Sequence, residues 1–374
     1  MFKALACSNS TTPQYEIQRP IATEANKSQN KASPSLPPVQ RTLKMDFDVL
    51  IDDTLNNLGL GVSHKFPSNH WLSSVINDFE DGKWRRRKFN NFVWDNIAET
   101  ALTKTERDAY IGRPNSLLSA AARNLRLTDA DEIGKGSELA EIFLYGILRH
   151  KYQALSAVPK IFYKQNSKDN AKGADSVHIV LGGPEDYSLW FGEAKFYNSI
   201  EDARLDSIID SVKNSLDTDK LKKENRIITN LSELDHLGIE VGLVKKIRTG
   251  LNNEESIDNI KHLINIPILI VNECSRTASA SKLDSSYLKE IKKFHSERAE
   301  AFFKKQEKKL ASIHLIEKIK FHLILFPVPE KGKIVDEFVR AVEFHKSNGM
   351  DQTCQTKAKN SKKKVKETKG KKGK

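Results

Sequence analysis

The sequence predicts an α/β fold: a mixed central sheet with helices on both faces. Three observations point to it. Short runs rich in β-branched and aromatic residues, such as DSVHIVLGG, SLWFGEAKF and INIPILIVN, have the length and composition of strands. Amphipathic stretches stand around them in the order helix, three strands, helices, strand, helix, strand, helix. At 374 residues, with 38% hydrophobic and 29% charged side chains, the chain is long enough to bury a sizeable core.

Residues 1–45 are rich in Ser, Thr, Pro, Asn and Gln with few apolar anchors, which predicts a disordered segment. Order is expected from Asp46. DFDVLIDDTLNNLGLGV reads equally as strand or short helix. HWLSSVINDFEDG and KWRRRKFNNFVWDNIAETAL read as helical, so 46–130 is expected to be a mostly helical region. Its aromatics (Trp71, Trp84, Phe89, Phe92, Trp94) are candidates for partner docking, set against the plainer reading that they are core.

The main domain is expected over 131–347. Ser137 stands where a helix N-cap belongs, and Leu139, Ile142, Phe143, Gly146 and Ile147 make an apolar stripe after it. VPKIFYK and DSVHIVLGG are the next strand candidates, a Gly-Gly-Pro-Glu-Asp cluster from Gly182 turns the chain, and SLWFGEAKF is the third strand. Ser199–Leu216 is strongly amphipathic. SELDHLGI and IDNIKHLI are expected to be helical. INIPILIVN is a buried strand whose Pro267 suggests an edge or entry position. A long charged helix over Ser285–Leu310, the strand IKFHLILFPVP and the helix KIVDEFVRAVEFHK complete the domain. The remaining 348–374 is a lysine-rich tail with nothing to pack.

The net charge of +12 is concentrated at the two ends. Residues 357–374 hold ten lysines against Glu367 alone, and residues 1–45 hold six basic side chains against two acidic ones. The stretch between is close to neutral, so whole-chain charge says little about a DNA groove. Cys7, Cys274 and Cys354 are far apart and make no CxxC pair, which argues against a disulfide framework and a cysteine zinc site. This fits a reducing cytosol, and the expected location is cytoplasmic. No apolar run reaches the length a membrane helix needs.

The residues that stand out chemically are Glu138, Asp175, Glu193 and Lys195. Strand side chains alternate, so Glu193 and Lys195 share a face. If the two strands pair as a hairpin, Asp175 comes close to Glu193. Two converging carboxylates suit a hard divalent cation such as Mg²⁺ or Mn²⁺, which takes oxygen ligands together with water and phosphate. Lys195 beside them can orient or deprotonate a water and stabilise charge on a phosphate. Glu138 projects from the preceding helix as a candidate third metal ligand. The plainer readings are that Glu138 complements the helix dipole and Asp175 ends a turn. Burying Glu193 and Lys195 in an apolar strand is harder to explain without a function. His178 reads as a packed histidine.

The arrangement of Glu138, KGAD with Asp175, and GEAK with Glu193 and Lys195 resembles the PD-(D/E)xK nuclease superfamily. GSELAEIFLYGIL, KGADSVHI and LWFGEAKFY are similar to the HamA family, nuclease-like subunits of the Hachiman anti-phage defence system. The specific match is Gly134–Tyr197, with a looser likeness in element order to about residue 345. The resemblance implies a restriction-endonuclease-like fold, with Glu138, Asp175 and Glu193 as metal-binding acids and Lys195 as the catalytic lysine. It also implies Mg²⁺-dependent cleavage of DNA and a partner of the HamB type, a DExH helicase. This chain itself has no GxxxxGK[ST] phosphate loop, so any ATP would be used by that partner. Gly173-Ala174 stands where the superfamily pattern has a proline before the acid.

The run Arg85-Arg86-Arg87-Lys88, flanked by Trp84 and Phe89, is a candidate DNA-backbone contact. Lys245, Lys246 and Arg248 make a weaker one. The competing function is a catalytically idle module of the same fold that binds DNA or regulates a helicase. A stand-alone restriction nuclease is a third reading, with the near-neutral core against it.

Overall fold

The computed structural model describes residues 48–52, 69–127, 136–163, 173–183, 186–230, 232–252 and 254–347. The segments 1–45 and 348–374, for which disorder is expected, lie outside the described residues. Among the described residues, seven of nine strands form one sheet: β1 (Asp48–Asp52), β2 (His70–Ile76), β5 (Leu155–Val158), β6 (Ser176–Leu181), β7 (Tyr187–Tyr197), β8 (Ile264–Glu273) and β9 (Lys320–Val328). Across the sheet they run β1-β2-β9-β8-β7-β6-β5. The four central strands are parallel, and antiparallel pairs close both edges. The strands β3 (Phe79–Glu80) and β4 (Lys83–Trp84) form a separate small hairpin.

Helices cover both faces, which is why the central strands are continuously apolar instead of alternating. Nine of the ten residues of β8 are buried. One face packs on α1 (Arg86–Ala101), α3 (Pro114–Arg123), α4 (Ser137–Tyr152) and α11 (Lys331–Ser347). The short α2 (Lys104–Ala109) comes directly after α1 and is held by a capping box, with Thr103 and Glu106 satisfying each other's backbone N–H groups. The other face packs on α6 (Asp202–Ser215), α7 (Thr218–Asn230), α8 (Val241–Gly250) and the long α10 (Ser285–Leu310). The short α5 (Lys160–Tyr163) and α9 (Ser275–Ser279) complete the set.

Several expectations change. HWLSSVI is strand β2, hydrogen-bonded in parallel to β9, so 46–130 contributes to the same sheet as 131–347 and no fold boundary divides them. Its period is hard to read because six of its seven positions are buried, which removes the contrast between faces. Phe89 and Phe92 are core residues packed on Phe143, and Trp84 and Trp94 pack on the same cluster. Phe89 and Phe92 are buried, and Trp84 and Trp94 are half-buried. KIFY turns as α5, and the strand is Leu155–Val158 just before it. SELDH and the IDN and KHL pieces are single 3₁₀ turns.

Pro267 sits in a central strand, not at an edge. The β7–β8 ladder runs from Trp190↔Asn265 directly to Glu193↔Ile268, so Ile266 and Pro267 fall in a gap in the pairing with β7. The N–H that proline lacks is not demanded there. Ser137 is the first helical residue and not the cap. Gly136 caps α4 at φ +94°, and a Cβ there would stand 2.9 Å from Val335 and 3.0 Å from Phe196.

Candidate active site

Asp175 enters β6 from the turn at Gly173, and its N–H donates to the Gly192 carbonyl at 2.8 Å. From there β6 and β7 run as an antiparallel hairpin, Ser176 facing Gly192. Gly192 must lack a Cβ, which would lie 2.2 Å from the Ser176 hydroxyl and 2.8 Å from Leu144. The close approach it permits brings Asp175 over the neighbouring residues of β7. One carboxylate oxygen of Asp175 accepts from the Ala194 N–H at 3.0 Å. The Lys195 ammonium lies 2.7 Å from Glu193 and 3.8 Å from Asp175. Ser211 of α6 donates its hydroxyl to Glu193 at 2.5 Å.

Asp175, Glu193 and Lys195 therefore gather under α6, at the carboxyl end of β7. Their side chains are 13%, 5% and 29% exposed, so Glu193 is the deep member and Lys195 reaches the surface. Burial, then the neighbouring Asp175 charge, pushes the Glu193 carboxyl above its ordinary range, against the pull of Lys195 and Ser211. Burial also works against the Lys195 ammonium, but Asp175 and Glu193 together outweigh it and hold the proton on. Two carboxylates share one lysine, so the cluster carries an excess negative charge.

Glu138 does not join them. It opens α4, which packs on the opposite face of the sheet. Its two carboxylate oxygens accept from the backbone N–H groups of Arg126 and Leu127, at 2.8 and 2.9 Å. It ties down the chain leaving α3. Sequence spacing cannot separate these roles, because both faces of a sheet are equally close along the chain. Among the described residues no three His, Cys, Asp or Glu side chains come together as a metal site. The donor set is Asp175 and Glu193. Two carboxylates fit Mg²⁺ or Mn²⁺, which complete their shell with water and phosphate and seldom use an all-protein cage. Their mutual repulsion is what a cation would relieve. His178 is fully buried against Tyr145, and burial pulls its imidazole down to about 3, so it is a neutral packed residue as expected.

Two residues that the sequence alone does not single out support Asp175 from behind. Lys160 and Glu224 form an ion pair at 2.6 Å with side chains 2% and 4% exposed. Glu224 also accepts the N–H of Ala174 at 3.2 Å. A Cβ on Gly173 would stand 1.9 Å from the same carboxylate oxygen. This accounts for Gly173-Ala174 before the acid: a proline at 174 would have no N–H for Glu224. The only hint in the sequence is that Glu224 lies on the apolar face of α7.

The Arg85–Lys88 run borders a groove of about 1190 Å³ with Trp84 and Trp94 between α1 and α11, on the face opposite Asp175 and Glu193. Arg85 pairs with Asp78 and Glu80, and Arg86 with Glu337. Arg248 pairs with Asp235. The structure does not bring these cations to the carboxylates.

Fold and cluster together define a mixed α/β protein with a paired-carboxylate and lysine centre at the end of a central strand. The HamA family model matches residues 52–342, and the chain belongs to the HamA family, which makes it a component of the Hachiman defence system. No curated protein matches it. Among the described residues no helix is long and apolar enough to cross a membrane.

Proposed function

We propose that this chain is the DNA-cleaving subunit of its defence system, a Mg²⁺- or Mn²⁺-dependent endonuclease or nickase restrained by a HamB-like DExH helicase. The observation that carries the reading is that Asp175 and Glu193 both lie within 3.8 Å of the Lys195 ammonium under one helix, with more negative charge than the lysine offsets. A divalent cation held by Asp175 and Glu193 would polarise a phosphoryl oxygen and acidify a bound water. The protein's own part is electrostatic and positional. Lys195 keeps its proton, so it stabilises charge developing on the phosphate and orients the attacking water instead of acting as a base. Ser211 fixes the deep carboxylate, and the Ala194 N–H fixes Asp175.

Plasmid nicking by the purified protein, alone and with its helicase and ATP, tests this. Asp175→Ala, Glu193→Ala and Lys195→Ala are each expected to lower the rate by at least about 10²-fold, the scale of losing an electrostatic group at the reacting atoms. Full activity in all three rejects the site. One observation favours the idle-module reading: one oxygen of Glu193 is already engaged by both Lys195 and Ser211, and both oxygens of Glu138 are spent elsewhere. Thermal melting separates the two. A nuclease centre gains melting temperature with Mn²⁺ in the wild type and not in Asp175→Ala, whereas an idle module gains none in either.

A further inference from the structure

We infer that the cleft at the carboxyl ends of β7, β8 and β9 is the nucleic-acid strand subsite of this centre, gripping backbone phosphates through Arg276 in the cleft and Arg204 in the adjoining first turn of α6. The inference rests on the nuclease reading for its place in the reaction. Its binding test does not depend on cleavage.

In open α/β sheets, ligands sit outside the carboxyl ends of parallel strands, where the loops diverge. Here that end holds a cleft of about 490 Å³ between residues 198–201, which lead into α6, the segment from Cys274 into α9, and α10. It lies on the same face as the Asp175 cluster, since α6 and α10 both pack there. It is at the same end too, because Lys195 and Tyr197 are the last inward residues of β7 before the chain enters the cleft at Asn198.

Two arginines, one in the cleft and one beside it, are held on aromatic faces. The Arg204 guanidinium stands 6.0 Å over the Tyr197 ring, and that of Arg276 stands 4.4 Å over Phe294. Both side chains are exposed, and among the described residues neither has a carboxylate partner. Three other cations near the cleft are paired with carboxylates. Arg298 at the cleft edge pairs with Asp202, and Lys305 and Lys309 pair with Asp206 and Asp210. Glu273, the nearest acid to Arg276 in sequence, spends its carboxylate on the Lys331 N–H at 2.8 Å. A guanidinium parked on an aromatic face has lost part of its rotamer freedom but keeps its N–H fork. That fork matches two oxygens of a phosphodiester.

Position supplies the rest. Tyr197 follows Lys195 by two residues on the same face of β7, so Arg204 over its ring stands next along from the cluster. A strand with one phosphate at Lys195 would meet Arg204 and then Arg276 as it leaves across the start of α6. One lysine cannot hold a polymer in register, and a pair of arginines further along can.

The test uses full-length Asp175→Ala protein, which cannot cut, with a short fluorescein-labelled DNA duplex and its single strand, read by anisotropy over a salt series. Adding Arg204→Ala and Arg276→Ala together is expected to weaken binding by roughly tenfold at low salt. The slope of log affinity against log salt should flatten by about 1.8, at about 0.9 per lost phosphate contact. Lysine at both positions should restore most of the slope, and Arg248→Ala should leave it unchanged. Unaltered affinity and slope in the double alanine variant overturn the subsite, as does a parent protein that binds neither DNA at low salt. Nicking separates the two ideas. Wild-type cleavage with normal KM in Arg204→Ala/Arg276→Ala leaves the nuclease and rejects the subsite. Arginine-dependent binding without any cleavage does the reverse.

Discussion

At the scale of single residues, Glu193 concentrates the chemistry. Its carboxyl is raised by burial and by Asp175, and the sign of the consequence is fixed. A folded-state pKa above the unfolded one contributes stability below the unfolded value and loses it as pH rises through the folded one. The ionised cluster is thus a strained state that a cation relieves. The melting-temperature gain with Mg²⁺ should therefore be larger at neutral pH than at about pH 5, where protons compete for the same oxygens. A gain independent of pH argues against Glu193 as a ligand. Ala174 makes a second residue-scale case. Proline there removes the N–H donated to Glu224, so Ala174→Pro is expected to cost about 1–3 kcal/mol in denaturant unfolding, the penalty for under-satisfying a buried polar group. An unaffected midpoint would show that Glu224 needs only Lys160.

Among the elements, the β6–β7 hairpin with α5 and α7 behind it sets Asp175 in place. The Lys160–Glu224 pair links two helices that are far apart in sequence and is almost wholly out of water. Breaking such a pair on one side leaves an uncompensated buried charge. Glu224→Ala is expected to destabilise by about 3–5 kcal/mol, while Lys160→Met with Glu224→Leu recovers most of that loss. Equal losses in the single and double variants contradict this. The hairpin and its acids, KGAD and then GEAK, are legible in the sequence because alternation along a strand is a local rule. The support behind the hairpin is not legible. VPKIFYK reads as a strand, and nothing local says that a glutamate 64 residues beyond Lys160 would meet it. Glu138 escapes the sequence for the same reason. Its helix start, spacing and acidity are all local, but the face of the sheet that α4 covers is set by the whole core. Strand β2 is hidden too, since a strand buried on both faces carries no period to read.

The whole molecule carries a pH dependence of its own, from three buried histidines on β6, α10 and β9. His178 lies against Tyr145, His322 is stacked between Trp71 and Trp190 with a hydrogen bond to Asn265, and His295 bonds Ser74. Burial pulls each imidazole to about 3, helped by Arg276 at His295 and by Lys320 and Lys151 at His322. These groups are neutral in the folded chain and free to charge when it unfolds. The unfolded state therefore binds more protons below about 6.5, and stability must fall as pH drops through that value. Each contributes about 1.4 kcal/mol per pH unit below 6.5, so going from about pH 7.5 to 5.5 should remove about 4 kcal/mol in all. Replacing His322 by Gln, which keeps a polar contact to Asn265 but cannot titrate, should cut the pH-dependent part by a third. Urea unfolding midpoints at the two pH values, for wild type and His322→Gln, measure it. A wild-type midpoint that does not move would mean that one or more of these rings takes up its proton inside the fold. The core would then contain a route for water that its packing does not suggest.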